Sequence, residues 1–170
     1  MKKFIMSMVT VAALSSGSVM AQSLPAGFSV GVGADYVQNT AKHSTATANT
    51  RVSLGYDYNK YISTEVDVGG VWATNKQKAG QSVVVDFKVG MPVNLAVVTV
   101  KPYVLVGTGY GFSQNHSNET TTSPIYNVGA GVVFPVTTKI DLDVRYTYVD
   151  SYNKPNRSAN AVGLNVAYKF

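Results

Sequence analysis

The chain of 170 residues contains no cysteine, so no disulfide can hold it together. Only 14% of its residues are charged, against about 25% in a typical soluble domain. No apolar run reaches the roughly 20 residues that a membrane-spanning helix needs. There is no glycine-rich phosphate loop and no heptad repeat, and the formal net charge of +5 is mild. These absences argue against disulfide-stapled, helical-membrane, nucleotide-binding and nucleic-acid-binding proteins.

The N-terminus has the features of a secretory signal peptide. Two lysines give it a positive start, residues 4–14 are almost entirely apolar, and residues 19–21 are typical of a cleavage site. An uncleaved anchor is the alternative, which the short apolar stretch disfavours. We therefore predict a signal peptide over residues 1–21 and one exported domain over residues 22–170.

The rest of the chain alternates large apolar residues with glycines, small polar residues and charges. In the last segment Val162, Leu164 and Val166 share one parity, while Gly163 and Asn165 share the other. A period of two indicates β-strands with one apolar and one polar face. Eight segments show the pattern. The predicted strands are 27–38, 49–58, 61–72, 81–91, 98–112, 125–134, 139–150 and 159–170.

Two kinds of connection alternate between these strands. The long ones, rich in Asn, Ser, Thr, Lys and Gly, are 39–48, 73–80, 113–124 and 151–158. The short ones are 59–60, 92–97 and 135–138. This alternation is typical of an up-and-down antiparallel barrel with two different rims. The strands also approach the roughly 9–11 residues that cross a bilayer, whereas soluble strands usually have about 5–6.

Two barrels fit this pattern: a lipocalin-like soluble barrel with apolar residues inside, and a membrane barrel with apolar residues outside. An eight-stranded barrel has an interior barely wide enough for side chains, and the large apolar residues would overfill it. The opposite parity carries most strand glycines and, with Asp150 at the end of the predicted strand 139–150 counted as part of the adjoining loop, every charge within the predicted strands. Because a charge facing lipid costs about 2–4 kcal/mol at mid-bilayer, the segregation predicts lipid outside. The predicted fold class is all-β, an eight-stranded antiparallel up-and-down transmembrane β-barrel.

Aromatic residues of the apolar parity fall near both ends of the predicted strands. Those near the long loops are Tyr36, Trp72, Tyr110, Phe112, Tyr126 and Tyr148. Those near the short turns are Phe28, Tyr56, Tyr58, Phe134, Tyr168 and Phe170. Two such rings are typical of the interfacial aromatic girdles of an outer-membrane barrel.

Several motifs resemble the OmpA/OmpX-type small outer-membrane barrels of Gram-negative bacteria, a porin-family β-barrel domain. The similar segments are KPYVLVGTGYGF at 101–112, NVGAGV at 127–132, LDVRYTY at 142–148 and the terminal AYKF. The resemblance implies an integral outer-membrane location, with Tyr168 and Phe170 as the signal read by the barrel-assembly machinery. That family includes structural barrels, adhesins and a few enzymes, so the resemblance leaves the function open.

Charged residues of the small-residue parity are predicted to fill the lumen. The expected network comprises Arg51, Glu65, Asp67, Asp86, Lys88, Lys101, Asp141, Asp143 and Arg145. Because buried charges must be paired, we expect a salt-bridge ladder that plugs the barrel. Arg145 and Lys101 are expected to bridge four carboxylates, which are those of Glu65, Asp67, Asp86 and Asp143.

A metal site and a catalytic site have weaker support in the sequence. The pairs Glu65/Asp67 and Asp141/Asp143 could seat a Ca²⁺ ion, but ion pairing explains them more simply. His116 and Ser117 resemble the His/Ser pair of outer-membrane lipid A deacylases, but here they lie in a polar loop with only Glu119 as a nearby acid. We therefore predict no catalytic, cofactor-binding or metal-binding residues.

Five basic residues in the predicted outer loops form what we call the basic loop rim: Lys42, Lys76, Lys78, Lys154 and Arg157. Such a rim would attract lipopolysaccharide phosphates or acidic host glycans. We expect a monomeric, non-enzymatic outer-membrane protein with a largely closed lumen. Its four outer loops would contact lipopolysaccharide or a host-surface ligand. The alternatives are a narrow non-specific channel and, less favoured, a lipid A-modifying enzyme.

Overall fold

The computed structural model describes most of the predicted exported domain. The described residues are 27–40, 46–71, 80–95, 98–114, 120–153 and 158–170. The predicted signal peptide, 1–21, lies outside them. No helix in these ranges is long and apolar enough to cross a membrane.

Eight long strands and one short strand make up the fold. They are β1 (Phe28–Asn39), β2 (Ala46–Asp57), β3 (Ile62–Val71), β4 (Gly80–Gly90), β5 (Val93–Leu95), β6 (Val98–Gln114), β7 (Thr120–Pro135), β8 (Ile140–Ser151) and β9 (Ala159–Lys169). Their β-branched and aromatic residues suit a pleated surface. The turns that follow β2, β5 and β7 are short, and we call this end of the barrel the short-turn rim and the opposite end the long-loop rim.

The sheet is closed. Each long strand pairs antiparallel with its neighbours in chain order, and β1 pairs with β9 from Ser29↔Lys169 to Asn39↔Ala159. Closure leaves no long strand with an unpaired edge, which an all-β chain in lipid requires. The predicted eight-stranded antiparallel up-and-down barrel is confirmed.

Several sequence-based boundaries differ from the structure by a few residues, and two predicted connections are wrong because they contain strand. The predicted loop 113–124 is partly strand, because β6 and β7 stay paired out to Gln114↔Thr120. The predicted turn 92–97 contains β5, which pairs with the start of β6 from Val93↔Val100 to Leu95↔Val98. In both places the loop-like composition hides residues that extend an existing hairpin, so the ladder continues past the end of the hydrophobic alternation.

The barrel is apolar outside and polar inside. Valines and leucines such as Leu54, Val104 and Leu164 are exposed on the outer wall. Among the described residues, the buried apolar side chains are Tyr103, Leu105 and Ala161. The buried polar and charged residues are Asp35, Arg51, Ser53, Glu65, Asp67, Asp86, Lys88, Asn127, Asp143, Arg145, Thr147 and Asn165. Such an inverted distribution is what a barrel surrounded by acyl chains requires.

Aromatic side chains gather at both rims. At the short-turn rim, Phe28 packs against Tyr56 with ring centroids 4.8 Å apart, and Tyr56 against Tyr58 at 4.9 Å. Tyr168 and Phe170 pack at 5.1 Å on the last strand. Phe134 lies near the end of β7 at this same rim. These residues, predicted as the girdle near the short turns, all lie at the short-turn rim, and we call them the lower aromatic girdle.

The long-loop rim holds the other predicted girdle residues that the structure describes. Tyr36, Tyr110 and Phe112 lie toward the long-loop ends of β1 and β6. Tyr126 lies on β7, and its ring centroid is 5.0 Å from that of Tyr152. Trp72 lies outside the described residues.

One charge contradicts the segregation expected from the sequence. β8 extends to Ser151, so Asp150 shares the outward parity of Tyr148 instead of lying in a loop. Its Oδ2 accepts hydrogen bonds from Tyr148 Oη at 3.2 Å and Tyr126 Oη at 3.5 Å. Its Oδ1 accepts one from the Ser151 backbone N–H at 2.7 Å. Hydroxyl donors of the rim therefore solvate this carboxylate where the strand leaves the apolar band.

Candidate functional site: the charged lumen

Arg145 stands at the centre of the lumen. Its side chain leaves β8 and crosses to β3, where Nη1 lies 2.8 Å from Glu65 Oε1 and Nη2 contacts the Asp67 carboxylate. Nη1 also lies 3.6 Å from Asp86 Oδ2 on β4. A planar guanidinium with five donors suits this role, because it can contact several carboxylates at once. One cation thus links three strands.

Lys88 forms the second junction. Its Nζ lies 2.9 Å from Glu65 Oε2 and 3.3 Å from Asp143 Oδ2. Tyr103 Oη donates a hydrogen bond of 2.7 Å to Asp143 Oδ1, and the Lys88 ammonium lies 5.0 Å from the centre of the Tyr103 ring. The Tyr103 ring therefore stabilises the Lys88 ammonium by a cation–π contact, and the Tyr103 hydroxyl stabilises the Asp143 carboxylate by a hydrogen bond.

Arg51 extends the network toward the long-loop rim. Its Nη1 contacts Asp35, and its Nε lies 3.6 Å from Asp67 Oδ2. Asn49 Nδ2 donates to Asp35 Oδ2 at 3.3 Å. Because Asp67 also contacts Arg145, the ion pairs form one connected chain. We call it the lumen network; its members are Asp35, Arg51, Glu65, Asp67, Asp86, Lys88, Asp143 and Arg145.

The lumen network has more carboxylates than cations, and neutral donors serve the acids. Asn127 Nδ2 donates 2.8 Å to Asp86 Oδ1, in the same way that Tyr103 serves Asp143 and Asn49 serves Asp35. A buried carboxylate without donors would be costly, and hydrogen bonds to ionised groups are the stronger ones. These neutral residues therefore belong to the site as much as the charges do.

The sequence-based partners of Lys101 are wrong. Lys101 does not reach the central carboxylates; it lies 3.8 Å from Asp57, and both side chains are partly exposed. Lys101 is the first β6 residue that pairs with β7, so it sits at the short-turn rim. Deeper inward positions of β6 carry Tyr103 and Leu105 instead. Asp141, also predicted in the network, lies at this rim and pairs with Lys169 at 2.9 Å.

Sequence reasoning missed the neutral members of the site. Tyr103 lies on the parity of Lys101 in β6, and Asn127 lies on the parity of Gly129 and Gly131 in β7. Asn165 Nδ2 donates to Ser53 Oγ at 3.2 Å in the middle of the lumen. The parity alone could have found them, since every polar residue on an inward position of a narrow barrel needs a partner there.

Glycine makes room for the longest side chains. A Cβ at Gly107 would collide with the Asp86 carboxylate and the Asn127 amide oxygen. A Cβ at Gly131 would lie 2.5 Å from Tyr103 Oη and 2.7 Å from the Val144 backbone oxygen. At Gly111, nearer the long-loop rim, the nearest atoms would be 3.8 Å away, an ordinary contact. Strand glycines are therefore required where the lumen network crosses the axis.

The carboxylates considered for a metal each have a cationic partner. Oxygens of Glu65, Asp67 and Asp86 approach within 4.8 Å of one another. Arg145 contacts all three, so its guanidinium supplies positive charge where a metal ion would sit. Asp141 and Asp143 pair with Lys169 and Lys88. The geometry favours charge compensation by side chains.

A cavity of about 340 Å³ opens at the short-turn end of the lumen. Lys101, Asp57, Asp141 and Lys169 line its walls. Residues of the lumen network that also line it are Glu65, Lys88 and Asp143. This cavity, which we call the vestibule, thus ends at the lumen network.

Other predicted features lie outside the described residues. They are the whole basic loop rim (Lys42, Lys76, Lys78, Lys154, Arg157) together with His43, His116 and Ser117.

A family model for the outer membrane protein β-barrel domain matches residues 7–170. The chain belongs to this family. The family and its neighbours place the protein in the bacterial outer membrane. A search of curated proteins finds no match.

Solved structures share the barrel. The chain is similar to Neisserial surface protein A (NspA), with 21% identity, 85% of this chain and 97% of that chain covered, and a TM-score of 0.68. It is similar to Ail of Yersinia pestis, solved with the heparin analogue sucrose octasulfate, with 12% identity, 86% of this chain and 100% of that chain covered, and a TM-score of 0.53. It is also similar to the outer membrane enzyme PagL, with 16% identity, 84% of this chain and 99% of that chain covered, and a TM-score of 0.53. At these identities the likeness shows the shared fold.

Removing the central cation of this outer membrane barrel should destabilise it far more than removing a rim cation. Arg145→Met leaves the buried Glu65, Asp67 and Asp86 without their shared partner, and should lower the free energy of unfolding by about 3–5 kcal/mol. Lys101→Met removes a partly exposed pair and should cost about 1 kcal/mol or less. Urea unfolding in lipid vesicles measures both. Equal losses would contradict the account of the lumen network.

Adding one methyl group at Gly107 should be far more costly than adding one at Gly111 on the same strand. Gly107→Ala forces the Asp86 carboxylate and the Asn127 amide to move, and should cost about 1–3 kcal/mol. Gly111→Ala, on the same strand and parity, meets no close atom and is the matched control. The same unfolding assay applies. A neutral Gly107→Ala variant would show that the lumen is loosely packed.

Proposed function

We propose that this protein is a closed, structural barrel of the outer membrane whose external loops contact polyanionic surfaces. The observation that carries the closed state is the lumen network, an unbroken series of ion pairs from Asp35 to Asp143. Transport through the barrel is then not its primary role. The interaction surface is what the strands display at the rims.

The burial of the network supports closure. Asp86 is 0% exposed and Asn165 is 1% exposed, although both are polar and lie midway along their strands. A water-filled pore would leave such side chains wet, as in the much wider porins. The vestibule at the short-turn end reaches Glu65, Lys88, Asp143 and Asn165, whereas Arg145 and Asp86 do not line it. We infer that ions do not pass the Arg145 junction.

The contact role is proposed for the long-loop side. The basic loop rim places five cations in loops of a barrel whose described outer wall is almost free of charge. Clustered basic residues attract phosphates and sulfates at long range. The similar barrel Ail was solved with a sulfated heparin analogue, which supports a polyanion as the ligand class. Lipopolysaccharide phosphates and sulfated host glycans share this chemistry.

We also propose how the protein is exported and assembled, and that it is a monomer. The signal peptide, residues 1–21, would export the chain, and Tyr168 and Phe170 would present the last strand to the barrel-assembly machinery. The short turns would then face the periplasm. We propose a monomer, since β1 and β9 pair with each other along their whole length.

Catalysis is not part of the proposal. PagL shows that an enzyme can use this fold, so the fold by itself does not decide. The candidate pair, His116 and Ser117, has in its sequence neighbourhood only Glu119 as an acid. A shift in lipid A mass on expression of the wild type, lost in His116→Ala, would favour the enzyme instead.

Planar bilayers should reveal no steady conductance from the wild-type protein, because the lumen network closes the path. Co-flotation with vesicles, followed by fusion of those vesicles with the bilayer, controls for incorporation. Stable, stepwise currents that scale with the amount of protein would contradict the closed lumen and favour the narrow channel.

Neutralising the basic loop rim should abolish polyanion binding. The variant replaces the five rim cations by Gln, and its control replaces Lys60 and Lys139, which lie in the short turns, in the same way. Binding is measured separately on immobilised heparin and on lipopolysaccharide, at low and raised salt. We expect loss in the rim variant and none in the control. Whichever matrix binds identifies the source of the anion, and unchanged binding by the rim variant overturns the contact role.

A further inference from the structure

The hairpin between β4 and β6 is extended at its short-turn end. β4 pairs with β6 down to Gly90↔Tyr103, and β5 takes up the same register at Val93↔Val100. Pro92 and Pro102 lack a backbone N–H, which explains why the ladder is interrupted between them. β3 pairs with β4 no further than Ile62↔Val89, and β7 pairs with β6 no further than Lys101↔Val133. The hairpin thus continues past both neighbouring strands.

This extension, which we call the β5–β6 hairpin (the described residues 91–95 and 98–100), has two unlike faces. Because the register is unbroken, the outward parity of the barrel wall continues onto it. Its outward residues are Met91, Val93, Leu95, Val98 and Val100. On the inward face Thr99 Oγ1 donates to Asn94 Oδ1 at 2.8 Å. The outward face is a continuation of the lipid-facing wall.

The outward face is unusually exposed for apolar residues at an aqueous rim. Met91 is 62% exposed, Leu95 53% and Val98 44%. Residues 91–100 contain no charge, whereas each of the other two short turns carries a lysine, Lys60 or Lys139. A flat, uncharged apolar hairpin in water would invite aggregation.

The lower aromatic girdle has a gap at the same place. Its members lie on β1, on β7, on β9 and at the end of β2. Below Phe87, the described outward positions of β4, β5 and β6 are aliphatic or proline, and Tyr103 turns into the lumen. Girdle aromatics mark the depth at which a barrel meets headgroups. Where the girdle is missing, the aliphatic wall runs on.

We propose that the outward face of the β5–β6 hairpin is a lipid-contact surface that lies in the leaflet at the short-turn end. Its occupant is the acyl and glycerol region of phospholipids, to which it is joined by the continuous apolar wall. The apolar height of the barrel is therefore greatest at β4–β6, and such a mismatch is relieved by tilt or by local change in bilayer thickness. The proposal does not depend on the loops or their ligand.

Tryptophan fluorescence tests this surface in vesicles. In a Trp72→Phe background, which removes the natural tryptophan, Leu95→Trp reports the outward face and Asn94→Trp, its neighbour, the inward face. Val104→Trp, exposed on the barrel wall, is the lipid-facing reference. The vesicles contain phosphatidylcholine brominated near the glycerol end of the acyl chain. Leu95→Trp should be quenched about twofold or more above Asn94→Trp and should emit at shorter wavelength.

Equal quenching of Leu95→Trp and Asn94→Trp by bromolipid, with strong quenching by acrylamide, overturns the proposal. Blue-shifted emission that bromolipid does not quench and that depends on protein density also overturns it, since a second copy then covers the face. Val98→Trp, across the hairpin from Leu95, repeats the measurement should Leu95→Trp fail to insert. Quenching of Val104→Trp verifies in each sample that the barrel is folded in the bilayer.

Discussion

The narrow bore of an eight-stranded barrel constrains everything else in this protein. Half of the strand residues must point inward, and there is room for few of them to be large. The chain meets this limit with glycines opposite long polar side chains, as at Gly107 beside Asp86 and Gly131 beside Tyr103. Once polar groups fill the bore, each must find a partner inside it. Arg145 makes more ion pairs than any other residue of the lumen network, one each with Glu65, Asp67 and Asp86.

The same constraint links stability to function. Buried ion pairs gain little over well-packed apolar residues, yet breaking one is expensive. In the middle of the barrel these side chains are buried, with Asp86 0% and Asn165 1% exposed. Variation is then tolerated mainly at the ends, where Lys101 and Asp57 are partly exposed and the long loops begin. A structural frame with interactive rims is the role that such an interior supports.

Much of the fold was predictable from the sequence. In a membrane barrel, alternation with a period of two indicates both where a strand lies and which of its faces points to the lipid. The charges on one parity indicated the lumen. Their partners could not be assigned, since partners such as Arg145 and Glu65 are 80 residues apart and meet only through the tilt and register of the closed sheet. Lys101 illustrates this: its parity was read correctly, but its height along the axis was not. Asp150 and β5 were missed because polar or turn-like composition hid the continuation of a strand.

The most direct test of the closed, ion-paired lumen is the exchange of lysine ammonium protons with water, observed by nitrogen-15 NMR in lipid nanodiscs near neutral pH. Lys88 lies at the inner end of the vestibule, where Glu65, Asp143 and the Tyr103 ring leave 9% of its side chain exposed, whereas Lys101 lies at the short-turn rim and is 20% exposed. The account predicts a resolved Lys88 ammonium signal whose protons are protected from exchange, while those of Lys101 exchange too fast to be seen. Equally fast exchange at both lysines would mean that water fills the barrel, and would contradict it.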